Sequence, residues 1–256
     1  MKKKIRKWSF RLLVTVLVIA GMLLLIILNP VLTYANKTQH DNFTVYHSEA
    51  INPALYKALD EAGAFLKTSE LYNPRLKLDI CLNDGAAYPK LMRTLRGPAF
   101  AWGFYNKVVM QGTADYNGNY VELNGYKWNL SQLLAHEMTH CLQFDRLGFW
   151  KSKPVAAVPE WKWEGYAEYI SRRSVEQQDL KVNIKRLSNA DKTDPTGWAI
   201  AFSDNTIAPR EYYNYWLLVQ YCMNVKKMNY EQVLKDTTRE AILKQEMLTW
   251  YNSPHH

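Results

Sequence analysis

Residues 12–28 carry no charge, and only Thr15 and Gly21 interrupt their run of apolar side chains. A small globular domain has no interior long enough to hide such a run, so it is expected to stand apart as a helix in a bilayer. At about 1.5 Å per residue it spans roughly 25 Å, short of the ~30 Å hydrocarbon core unless Phe10 and Pro30-Val31-Leu32 extend it. Lys2, Lys3, Lys4, Arg6, Lys7 and Arg11 precede it without a single acid. That places the first eleven residues in the cytoplasm and everything after about Asn36 outside it. The expected division is a basic cytoplasmic tail at 1–11, a transmembrane anchor or signal segment at 12–32, a polar linker at 33–42 and one domain at 43–256. Thr33-Tyr34-Ala35 offers a cleavage site, which would make the protein secreted. The apolar run exceeds the usual 7–15 residues of a signal core, which favours a retained, single-pass anchor in the cell membrane.

The formal charge of +8 invites a nucleic-acid reading, yet six of the 32 basic residues lie in that tail. The remaining 26 face 24 acidic residues, so the exported body is nearly neutral and nucleic acid is excluded as a partner. Cys81, Cys141 and Cys222 make no disulfide framework and read as three small buried apolar residues. The sequence is silent on oligomeric state.

Beyond the polar stretch Asn36 to Asn42, the first half reads as mostly strands. Candidates are 43–46, 76–82, 100–110 (a strand or a hairpin) and 120–123, with helices at 53–67 and 88–95 between them. From Asn129 the character becomes helical, over 129–147 with Asn129 as cap and Gly148 as stop, then 160–173, 211–228 and 230–251. Strands followed by helices, without βαβ alternation, predict an α+β fold.

His136-Glu137-Met138-Thr139-His140 is an HExxH motif in the middle of a predicted helix. Residues four apart on a helix share a face, so both imidazoles can point at one Zn2+ ion. Glu137 sits beside them, placed to act as the base on a metal-activated water. A catalytic zinc takes a third protein ligand. Glu164, 24 positions after His140, is the candidate, with Glu160 or Glu168 next in line. Glu168 lies one turn after Glu164, where it could accept the free N–H of a ligand histidine. Gly165 is costly inside a helix and implies close packing, with the HExxH helix the expected neighbour. His40, His47, His255 and His256 are expected to be exposed or incidental.

HExxH followed by Trp-x-x-Glu-Gly-x-Ala-Glu-Tyr at 161–169 resembles the gluzincin clan of zinc metallopeptidases. The likeness is greatest to its small single-domain members, the peptidase MA-like or minigluzincin proteins. It is strongest over 133–171 and extends weakly to 212–221. The resemblance implies a zincin-like fold, with a strand-rich N-terminal lobe beside the active-site helix. It implies His136, His140 and Glu164 as zinc ligands, Glu137 as general base and Glu168 as the ligand-orienting partner. An edge strand that pairs with extended substrate is also implied, and 100–110 is the segment available. A Tyr beyond the third ligand, best aligned at Tyr212, would stabilise the oxyanion. No Gly-x-Met-x-Asn signature of an aminopeptidase is present.

Three functions compete. The first is a membrane-anchored, extracytoplasmic endopeptidase acting on a peptide or extended protein segment; its retained Glu137 favours it. The second is a zincin-fold interaction or structural protein without catalysis, separable by zinc content and by Glu137→Gln. The third is a zinc hydrolase of a non-peptide envelope bond, separable by substrate profiling.

Overall fold

A computed structural model describes residues 2–253, without the side chains of residues 2–7 and of Val175; the expectation for His255 and His256 lies outside the described residues. The chain opens with α1 (Lys2–Leu28). Its stretch Trp8–Leu28 is long and apolar enough to cross a membrane; none of it is fully buried, and near its end Ile27 packs against Tyr88 and its neighbours. A short 3-10 turn, Pro30–Thr33, leads directly into β1 (Asn36–His40).

That strand corrects the expected linker. β1 pairs antiparallel with β2 (Phe43–His47). It forms one edge of the sheet and exposes much of its surface, so its polar sequence carries no apolar alternation. The end of α1 and the segment after it are tied to the domain: the Tyr88 hydroxyl donates to the Ile27 carbonyl at 2.5 Å, and the Tyr34 hydroxyl to the Leu82 carbonyl at 2.8 Å.

α2 (Ala54–Leu66) follows, burying Leu55, Ala58, Leu59, Ala62 and Leu66 along one helical stripe. β3 (Leu78–Cys81) then lies parallel to β2. β2–α2–β3 is therefore a βαβ unit, which the sequence reading did not anticipate. After α3 (Ala87–Arg96) come β4 (Ala101–Phe104) and β5 (Lys107–Met110), an antiparallel hairpin whose second strand is parallel to β3. The mixed sheet runs β1-β2-β3-β5-β4, leaving β4 at an edge.

Register assigns the faces. Val45, Ile80, Val108 and Gly103 stand side by side across the strands, and the three larger ones are fully buried in the main core under α2 and the next long helix. Tyr46, Cys81, Val109 and Trp102 form the neighbouring row on the opposite face, beneath α3. β6 (Thr113–Asp115), β7 (Tyr120–Leu123) and β8 (Tyr126–Asn129) make a separate antiparallel meander. Asn124 and Gly125, both at positive φ, form its second turn, a conformation that suits these two residues.

The second half is helical. α4 (Leu130–Leu147) starts where the Asn129 side chain accepts from the Gln132 amide and stops at Gly148. α5 (Glu160–Ser171) and α6 (Leu180–Thr193) precede a small hairpin, β9 (Ala199–Ala201) and β10 (Ile207–Pro209). α7 (Arg210–Gln220) ends in a π-helical turn, and α8 (Tyr230–Lys235) and α9 (Glu240–Asn252) divide what reads in sequence as one helix. Gly165 does mark a close approach, though to α7: a Cβ there would lie 2.5 Å from the Tyr215 carbonyl oxygen. The fold is α+β with a mixed sheet, and Cys81, Cys141 and Cys222 are buried and unbridged.

Candidate metal centre

α4 is buried along most of its length and carries His136, Glu137 and His140 to the floor of a cleft. Glu164 comes from α5, which packs between α4 and α7. The Nε2 atoms of His136 and His140 lie 3.2 Å apart, and each lies 3.2 Å from Oε2 of Glu164. The three atoms form a nearly equilateral triangle. A tetrahedral ion with bonds of 2.0–2.1 Å spans ligand pairs about 3.3 Å apart, so the triangle has the size of one face of such a site.

The remaining ring nitrogens explain why both Nε2 lone pairs face inward. Nδ1 of His136 lies 3.0 Å from Oε1 of Glu168. Nδ1 of His140 lies 2.8 Å from Oε1 of Gln143, whose amide nitrogen donates to the Trp163 carbonyl and the Tyr230 hydroxyl. With Gln143 so oriented, its oxygen is the acceptor and Nδ1 of His140 the donor. The His140 imidazole is thereby fixed with a proton on Nδ1, and the Glu168 carboxylate beside Nδ1 of His136 favours the same tautomer there. With both rings neutral, three electron-pair donors then converge, an arrangement that either a metal ion or a proton on one of the rings can satisfy. Two nitrogens and a carboxylate oxygen suit Zn2+.

Aromatic rings brace the triangle from both sides. Trp163 stacks on His140 with centroids 5.6 Å apart, and Tyr212 stacks on His136 at 5.8 Å. Glu168 is fully buried and receives the Nε–H of Arg172, whose Nη1 donates to Gln132 at 3.1 Å. Burial opposes ionisation of Glu168, but Arg172 and then His136 outweigh it and hold its pKa below the ordinary value. Burial opposes ionisation of Glu164 as well, and His140 with His136 pull it well below the usual carboxylate range. For His136, burial disfavours the imidazolium, yet hydrogen bonds to Glu164 and Glu168 reverse this and raise its pKa to about 10. In the metal-free chain a proton on His136 Nε2 thus stands in for the cation.

Glu137 points the other way, toward the sheet edge, where the Gly103 amide donates to its Oε2 at 2.5 Å. Only glycine fits at 103, because a Cβ would collide with the backbone of Glu137. Burial raises the Glu137 pKa, with the two histidines offsetting it in part. Tyr212 lines the cleft and its hydroxyl makes no hydrogen bond to the described residues, whereas Tyr213 bonds to Asn183 and Tyr215 to Glu211. Burial, then the nearby carboxylates, raise the Tyr212 pKa, so its hydroxyl stays protonated and can donate.

The cleft measures about 1080 Å³. Its walls are β4, the loop from Lys153 to Pro159, and the start of α7. The structure brings together every site residue expected from sequence: His136, His140, Glu164, Glu137, Glu168 and Tyr212. Sequence reasoning missed Gln143, Arg172, Gly103 and Trp163. Gln143 was within reach, since it lies three residues after His140 on the same helix face. His47, expected to be exposed or incidental, is buried and bonds to Thr38 and the Glu49 carbonyl, remote from the cleft. His40 is half-buried and pairs with Asp60.

No protein family, curated protein or solved structure matches this chain.

Proposed function

We propose that this protein is a membrane-tethered, extracytoplasmic zinc metallopeptidase of the gluzincin type, hydrolysing peptide bonds in extended segments. The observation that carries the reading is the 3.2 Å triangle of His136, His140 and Glu164 with Glu137 beside it. Zn2+ held by those three residues would supply a Lewis acid and lower the pKa of a bound water.

The chain's own groups divide the remaining work. Glu137 accepts a proton from the attacking water and passes it to the departing nitrogen, so one water adds across one amide bond. Burial raises its pKa above that of an ordinary carboxylate, which helps it to hold the proton between the two halves of that transfer. The open edge of β4 offers backbone groups to an extended substrate, next to the Glu137 carboxylate. The Tyr212 hydroxyl is placed to donate to the carbonyl oxygen as it gains charge. Trp8–Leu28 serves as anchor, with the domain on the far side of the membrane from the basic tail.

The test is hydrolysis of a mixed peptide library by the zinc-replete full chain. Cleavage that disappears in Glu137→Gln, with zinc retained, supports the assignment. Cleavage that survives in Glu137→Gln removes Glu137 from its role, and no cleavage by the wild type removes the peptidase reading.

A further inference from the structure

The cleft holds a second charged feature that metal binding and peptide hydrolysis leave unused. Arg96, in the last turn of α3, lines the cleft together with Trp102. Its guanidinium carbon lies 4.3 Å from the centroid of the Trp102 ring and 5.9 Å from that of Phe104. Stacking on an aromatic face fixes the plane of the guanidinium while leaving its N–H edge free. Among the described residues no carboxylate lies within ion-pair distance of Arg96, although Glu137 and Glu164 act on it across the cleft, whereas Lys153, the other cation of the cleft wall, is paired with Glu160. The Arg96 side chain is partly exposed to solvent, while burial of its charged end against the cleft wall lowers its pKa.

Register shows what such a cation would meet. Trp102 and Gly103 point to opposite faces of β4, Gly103 toward Glu137 and Trp102 toward α3. A peptide added to the open edge of β4 alternates its side chains in the same way. Every second side chain would therefore pass Glu137 and the metal-ligand triangle, and those between them would pass the Trp102–Arg96 pair. A planar cation held flat at that position matches a carboxylate, which it can grip with two parallel hydrogen bonds.

We propose that Arg96 is a specificity-determining residue that receives a carboxylate of the substrate on the Trp102 side of β4. This rests on the peptidase reading. Two sources share the chemistry, an acidic side chain one strand position from those facing the metal ligands, or a free C-terminal carboxylate.

The experiment uses the full chain and matched quenched-fluorescence peptides. One set carries Asp or Glu at a single position against Asn or Gln there, the other a free against an amidated C-terminus. The ratio of kcat/KM for acid over amide is expected to exceed about tenfold in one set, which identifies the source. It should fall to near unity in Arg96→Gln and recover in part in Arg96→Lys. A general structural defect would lower both members of each pair and leave the ratio alone. Equal kcat/KM for acid and amide in both sets, or a ratio that Arg96→Gln leaves intact, overturns the proposal. Binding of the same peptides to Glu137→Gln reads the contact without turnover. No cleavage by the wild type, with acid-selective binding that Arg96→Gln abolishes, would sink the peptidase reading and keep the Arg96 contact. Binding that does not distinguish acid from amide would overturn the contact itself.

Discussion

Oε1 of Gln143 lies 2.8 Å from Nδ1 of His140, one helical turn along the same buried face of α4. It does for this imidazole what the Glu168 carboxylate does for His136. The difference is charge: the pair on His136 is ionic and backed by Arg172, the pair on His140 neutral and backed by Tyr230 and the Trp163 carbonyl. A single added negative charge near the triangle is balanced by a buried arginine, and a second would have had no such counterion.

Gln143→Leu should therefore weaken the site without removing a ligand. The His140 ring loses its acceptor, and the Tyr230 hydroxyl and Trp163 carbonyl lose a donor. Zinc affinity should fall about 10- to 100-fold, measured by competition with a chromophoric chelator. Stability should fall by about 1–3 kcal/mol from the buried groups left unpaired. Unchanged affinity would show that the histidine is held by packing on Trp163 alone.

Gly103→Ala probes the contact between the sheet edge and α4. The added methyl meets the backbone of Glu137, which cannot yield as a flexible side chain would. Relief requires β4 to move away, at a cost of about 1–3 kcal/mol. The expected result is a chain that still binds zinc and has lost most of its kcat/KM. Full activity in the variant would separate β4 from the reaction.

Much of this centre was legible because its parts follow helical spacing. His136, Glu137 and His140 share a face by their numbers alone, and Asn129 and Gly148 bracket their helix as its cap and stop. Glu164 and Glu168 repeat the same one-turn logic on α5. What stayed hidden depends on tertiary partners that spacing does not encode. Asn36–His40 has the composition of a linker, and only pairing with β2 makes it a strand. Parallel pairing of β2 and β3 follows from where α2 packs, which no local pattern records. Gly165 announced a close contact but could not say that Tyr215, rather than α4, was on the other side. Nothing in the spacing marks Arg172, next to Arg173, as the buried partner of Glu168.

The proton on His136 gives the metal-free protein a specific pH dependence. Its folded pKa is raised from 6.5 to about 10, so the folded chain holds this proton more tightly than the unfolded chain. The resulting stabilisation is complete below about pH 6.5 and is lost as pH rises toward 10. With chelator present, Tm should be lower at pH 9.5 than at pH 6.5. In the zinc-loaded protein the metal replaces that proton, so the same interval should produce a smaller drop. Thermal unfolding followed by circular dichroism at both pH values checks this, and a metal-free Tm that rises with pH would contradict it.

The central claim is that His136, His140 and Glu164 together hold one zinc ion, and the most direct measurement is metal stoichiometry. Zinc per chain should be measured in the purified full chain and in Glu164→Ala, after equilibration with the same buffered free zinc. A value near one in the wild type, with substantial loss in Glu164→Ala, is the expected result. Little or no zinc in the wild type, or equal zinc in the variant, would contradict the site.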